Sequence, residues 1–189
     1  MGKIIKKIFK TLLILIIVVL NVLVWGRIYI SNDAPITKKM IVEQSVLEDM
    51  KNNPLSYTVK QYFPPTTMDE LGKVQMRYVT HIEELDDLQF TLKYNIKYFE
   101  GKTPLKFDIR HVSGENETVY NDPFNMIQDR YIFRYLRFSC RDIGFEDGDS
   151  VFVDVYTSDG TPFVTLTLIS PEISSMDIKT VTLKTIVKE

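Results

Sequence analysis

Between Lys10 and Arg27 the chain reads TLLILIIVVLNVLVWG, sixteen residues without a charge. A solvent-facing helix or half-buried strand needs polar residues on its wet side at period 3.6 or 2, and this run has neither pattern. Three homes are open to it: a bilayer, a secretory signal that is later removed, or the centre of a core. At 1.5 Å per residue the run covers about 24 Å, short of the roughly 30 Å of a hydrocarbon layer. The flanks close that gap. Lys7, Lys10 and Arg27 can lay their stems along the helix with the charges at the interfaces, while Ile8, Phe9, Ile28, Tyr29 and Ile30 add apolar length. Trp25 and Tyr29 fall where an aromatic belt belongs. A cleaved signal needs small residues after the apolar run, whereas this chain continues Trp25-Gly26-Arg27-Ile28. The expectation is an uncleaved signal anchor with Lys7, Lys10, Trp25, Arg27 and Tyr29 at the membrane interfaces.

Charge sets the orientation. Residues 1–30 contain Lys3, Lys6, Lys7, Lys10 and Arg27 and no acid, which leaves residues 31–189 with 18 basic groups against 25 acidic ones. Four lysines before the helix and one arginine close behind it place the N-terminus in the cytoplasm and the remainder extracytoplasmic. The expected order is a basic cytoplasmic segment (1–10), a single-pass transmembrane helix (11–30), a juxtamembrane linker with one short helix (31–55) and a β domain (56–189). Asn21, the strongly polar residue of the span, is either a tolerated amide or a helix–helix contact supporting oligomerisation through the anchor.

Val42, Val46, Leu47 and Met50 recur on one helical face until Asn52-Asn53-Pro54 stops the run. Beyond it the period becomes two. Ser56–Phe63, Lys73–Thr80, Leu88–Phe99, Leu105–Val112, Val151–Thr157, Phe163–Ile169 and Ile178–Val187 are rich in Val, Ile, Thr, Phe and Tyr, and turn residues separate them. The fold class is mainly β, a sandwich of immunoglobulin-like or similar type. Val151, Val153 and Val155 alternate with Phe152, Asp154 and Tyr156, and Ser158-Asp159-Gly160-Thr161 returns the chain into Phe163–Leu168. That pattern predicts a hairpin with Gly160 at positive φ and Pro162 at a strand start.

Residues 123–141 carry two signals. Arg130, Arg134, Arg137 and Arg141 fall on one helical face and Asp122-Pro123 resembles a helix start, but Tyr131-Ile132-Phe133, Tyr135 and Phe138 favour a strand. The expectation is a short helical turn over Phe124–Gln128 followed by a strand over Tyr131–Cys140. The four arginines are candidate contacts for an anionic partner or lipid headgroups, with solvated charges paired to nearby acids as the ordinary alternative. Nucleic acid is disfavoured because the domain is acidic overall.

Cys140 is the single cysteine, so no internal disulfide forms and the core must suffice. A membrane-anchored β domain with a lone cysteine is similar in outline to the sortases. Those transpeptidases carry a Thr-Leu-x-Thr-Cys strand end and a Thr-Gly-His turn, whereas Cys140 sits in Arg137-Phe138-Ser139-Cys140-Arg141 and His111 in Ile109-Arg110-His111-Val112. His81 with Glu83, Glu84, Asp86 and Asp87, and the acidic stretch from Asp142 to Asp149, match no metal-ligand spacing. No nucleotide, hydrolase or zinc motif is present, and no cofactor is implied. The residues point to a binding or scaffolding module holding a protein partner in an envelope complex. Two other readings stay open: a cysteine-dependent enzyme using Cys140 with His111 or His81, and an assembly subunit of a secretion or transfer machine.

Overall fold

The computed structural model describes residues 2–31, 48, 56–63, 68–70, 72–120, 123–146, 148–171 and 176–182. The chain divides into two units, residues 1–35 and 36–189.

The first unit is helix α1, Gly2–Ser31. It continues through both charged flanks, and its stretch Ile5–Tyr29 is long and apolar enough to cross a membrane. Those 25 residues measure about 37 Å at the helical rise, so flanking residues make up the length that the uncharged run lacks. Asn21 Nδ2 donates to the Ile17 carbonyl at 2.8 Å, and Thr11 Oγ1 to that of Lys7 at 3.0 Å. One donor of the Asn21 amide is therefore satisfied within its own helix.

The second unit is the expected sandwich, built from two antiparallel sheets. Its strands are β1 (Ser56–Tyr62), β2 (Val74–Ile82), β3 (Asp87–Asn95), β4 (Lys106–Ser113), β5 (Asn116–Tyr120), β6 (Phe124–Arg130), β7 (Phe133–Arg141), β8 (Ser150–Tyr156), β9 (Pro162–Ile169) and β10 (Met176–Thr182). The larger sheet runs β10-β1-β2-β3-β7-β6 and the smaller β5-β4-β8-β9. Strands β1 and β10 are neighbours, with Ser56 opposite Thr182 and Tyr62 opposite Met176.

Alternation decides what is inside. On β3, Leu88, Phe90, Leu92 and Tyr94 join Leu136, Phe138 and Cys140 of β7 in one core with Ile109, Val151, Val153, Val155, Leu166 and Leu168 of the smaller sheet. Each fully buried Leu or Ile contributes about 1.5–3 kcal/mol relative to exposure. Phe138 links the layers: it stacks on Phe90 at 4.9 Å between centroids and meets Phe107 of the facing sheet edge-on at 5.5 Å. The opposite face of β3 is polar yet also buried. There Ser139 Oγ and Gln89 Nε2 donate to Asp87 at 2.7 and 2.6 Å, and Lys93 Nζ lies 4.4 Å from the Phe133 ring centre.

The β8–β9 hairpin is as expected, with Gly160 at φ 87 and β9 opening on Pro162. Asp159 accepts from the Thr157 hydroxyl at 2.5 Å and the Thr161 N–H at 3.0 Å, which hold its carboxyl down to about 2.

One expectation is overturned. Phe124–Gln128 is not a helical turn but most of strand β6, in register from Phe124 opposite Ser139 to Arg130 opposite Phe133. A proline ahead of the segment is as compatible with an edge strand as with a helix start. Antiparallel pairing with β7 supplies backbone partners that a single helical turn would lack, and tertiary context overrides a local helix signal. Strand β5 was not anticipated either, since Asn116–Tyr120 was too polar to mark one. The helix expected near residues 42–50 lies outside the described residues except for Glu48, which is helical.

Candidate functional site

Two regions of the sandwich gather residues with chemical or binding potential. The first lies around Phe145, in the connection from β7 to β8. His81 of β2 and His111 of β4 come from opposite sheets and approach this ring at 5.2 and 6.4 Å between centroids. Each imidazole is tied to a carboxylate that also fixes the connection. His81 Nε2 lies 3.1 Å from Asp86 Oδ1, and Asp86 accepts the Gly144 and Phe145 N–H groups at 2.6 and 3.3 Å. His111 Nε2 lies 2.7 Å from Asp149 Oδ2, which accepts the Glu146 N–H at 2.9 Å. Burial pushes the Asp149 carboxyl up, but the Glu146 N–H and His111 outweigh it and hold the group below the usual carboxylate range. A cleft beside these groups is lined by Lys60, His81, Glu83, Asp86 and Phe145.

Apart from Asp86, the acidic residues near His81 do not converge on it. Glu83 pairs with Lys60 at 2.5 Å, Glu84 accepts the Thr58 N–H at 2.8 Å, and Asp87 turns to Ser139 and Gln89. Burial raises the Asp87 carboxyl despite those bonds. Among the described residues no group of three or more His, Cys, Asp or Glu is placed to hold a metal ion. These carboxylates secure loops and strand ends.

Cys140 is fully buried, and burial, with Asp87 nearby, raises its thiol pKa. Ladder pairing puts Leu88 between His81 and Cys140, two strand spacings or about 10 Å. His111 belongs to the other sheet and is engaged by Asp149. A nucleophilic cysteine needs an accessible thiolate beside a base, and this arrangement favours the protonated thiol.

The four arginines separate once the segment is extended. Arg134 faces the same side of the sheet as Leu136, while Arg137 and Arg141 face the other side, joined by Arg130 opposite Phe133. Arg134 makes a two-point contact with Asp129, at 2.7 Å for both bonds, which raises its pKa. Arg137 is buried beside Met126 Sδ at 3.6 Å, and desolvation lowers its pKa. Arg141 Nε lies 3.8 Å from Asp142, and the Arg130 guanidinium lies 5.5 Å from the Tyr131 ring centre.

The second region is the β6 side of the sandwich. Among the described residues β6 pairs with β7 alone and ends the larger sheet. Tyr131-Ile132 closes the hairpin in two residues, with Tyr131 at φ 57, so Arg130 and Phe133 form a hydrogen-bonded pair. Antiparallel alternation then turns the backbone N–H and C=O groups of Asn125, Ile127 and Asp129 away from β7. Apolar side chains stand on or next to this edge: Ile127 is 61% exposed, Tyr131 58% and Met126 43%. Phe124 and Ile132 are exposed as well, and so is Val119 on β5, one edge strand of the smaller sheet. Tyr120 Oη donates to the Arg141 carbonyl at 2.7 Å, fastening β5 to the end of β7. Composition did not reveal this edge. Phe124, Met126 and Ile127 show no clean period of two, and the arginine spacing obscured the strand further.

Among the described residues, fold and site define an antiparallel β-sandwich of ten strands, preceded by the long apolar helix α1, whose larger sheet ends in β6 with exposed apolar side chains. Comparison with protein-family models, curated proteins and solved structures finds no match.

Proposed function

We propose that this protein is a membrane-anchored binding or scaffolding module: α1 holds it in a bilayer with the N-terminus in the cytoplasm, and the sandwich outside docks a protein partner along β6. The observation that carries the reading is the β6 edge. Protected edges use charge, proline, bulges or covering segments to prevent pairing. Strand β6 has no lysine or proline, its two charged residues, Asp129 and Arg130, sit at the hairpin end with Asp129 engaged by Arg134, its ladder with β7 has no register break, and it presents Ile127 at 61% exposure. Strand addition at such an edge is a recurrent mode of protein recognition, with the backbone supplying affinity and alternate side chains specificity. The length and exposure of α1, together with the lysines in its first turns and Trp25 and Tyr29 near its end, support the anchor and its orientation.

The test is a photo-crosslinker placed at Ile127 in the full chain in its own membranes, with Glu115 in the exposed β4–β5 turn as control. Protein adducts concentrated at Ile127 are the expected result. Equal labelling at both positions, or none at Ile127, would refute the docking edge. Resistance to alkaline carbonate, with proteases added to intact cells removing the sandwich, is the expected outcome for the anchor; a carbonate-soluble chain would refute it.

A further inference from the structure

We infer that the partner on β6 is a second copy of this chain, paired antiparallel about a two-fold axis through Ile127 so that two larger sheets join into one. The inference rests on the proposed docking edge and names its occupant. Its first support is the pattern of unpaired backbone. The outward-facing residues are Asn125, Ile127 and Asp129, a set symmetric about Ile127. Turned by a two-fold axis, the strand sets Ile127 opposite Ile127 and Asn125 opposite Asp129 on either side, each a hydrogen-bonded pair exchanging two backbone bonds. No outward group is left over, and the contact is closed, as a two-fold interface must be.

Side chains support the same register. On one face Asn125 meets Asp129, so an amide and a carboxylate are cross-strand partners, and Arg134 already engages that carboxylate in each copy. On the other face Phe124 meets Arg130 and Met126 meets Gln128, which allows a guanidinium over an aromatic ring. No like charges are opposed, and such opposition is what normally defeats self-pairing. Moving the two-fold axis two residues toward the hairpin, a slide of four residues between the strands, would set Asp129 opposite itself. Ile127, exposed at 61%, becomes the central contact.

The experiment is oxidative crosslinking of the full chain in detergent micelles and in membranes. With Ile127→Cys the two thiols face each other across the axis at the Cα separation of a hydrogen-bonded pair, about 5.5 Å, which suits a disulfide. With Asn125→Cys the symmetry mates lie four residues apart along the strand, more than about 13 Å, beyond disulfide reach. The expected result is a covalent homodimer for Ile127→Cys at least tenfold above Asn125→Cys and above the wild type, whose Cys140 is buried. Equal crosslinking of the two variants would overturn the register. Crosslinking of Ile127→Cys to a different protein would overturn the second copy while sparing the docking edge. A monomer without protein adducts at β6 would overturn both. Ile127→Pro provides an independent arm: it removes an outward N–H and, because Ile127 and Leu136 form a non-hydrogen-bonded pair, leaves the β6–β7 ladder intact. Association should weaken at least tenfold, and dimerisation unchanged by this substitution would place the contact elsewhere, for instance in α1.

Discussion

Because Cys140 is the only thiol, alkylation of the full chain in micelles reads one atom. In the folded protein Cys140 has no solvent exposure and belongs to the core shared by both sheets. Reagent therefore waits for the β3–β7 ladder and the surrounding core to open. Such an opening lies near the global end of local unfolding energies. Taking about 5 kcal/mol, the lower end for a domain, and 1.4 kcal/mol per factor of ten, labelling is expected to be roughly 4,000-fold slower than in urea-unfolded chain at the same pH. Sub-denaturing urea should accelerate it with the slope of global unfolding. Labelling within about tenfold of the unfolded rate would refute the reasoning, since solvent would then reach Sγ in the native state and the cysteine-dependent enzyme would regain its footing.

Phe138→Ala should lower stability by about 3–5 kcal/mol in urea titration, because it empties a buried site between Phe90 and Phe107, whereas Phe124→Ala on the exposed edge should cost less than about 1 kcal/mol. Gly160→Ala should cost about 1–3 kcal/mol from backbone conformation alone, since φ is 87 and no atom lies within 4 Å of an added Cβ; thermal melts check this. Asp149 has a folded pKa below its unfolded value. It therefore stabilises above roughly pH 4, and that contribution disappears as pH falls through the folded pKa. Asp149→Asn should lower the urea midpoint at pH 7, with the gap narrowing toward pH 3; a gap independent of pH would contradict the assignment.

The sandwich was legible because its main strands alternate: Val151, Val153 and Val155 against Phe152 and Asp154, or Leu88, Phe90 and Leu92 against polar neighbours that are also buried. The apolar helix was legible from its lack of charge. The β6 edge was not, because edge strands owe their form to one neighbour and carry little periodicity of their own. Arginines spaced for a helix face concealed a segment separated from its partner, β7, by only two residues. The His81–Asp86 and His111–Asp149 pairs were likewise hidden. Asp149 lies 38 residues from His111, and nothing local announces a contact that depends on how the sheets close over Phe145.

The antiparallel neighbourhood of β1 and β10 has a mechanical corollary. Ser56 and Thr182 sit at the same end of their shared ladder, so tension applied between them would unzip the seven residue pairs in succession instead of shearing them together. A cargo pulled from Thr182 against a tether at Ser56 would thus meet low resistance at first, and β10 would peel away before the remainder of the sheet yielded.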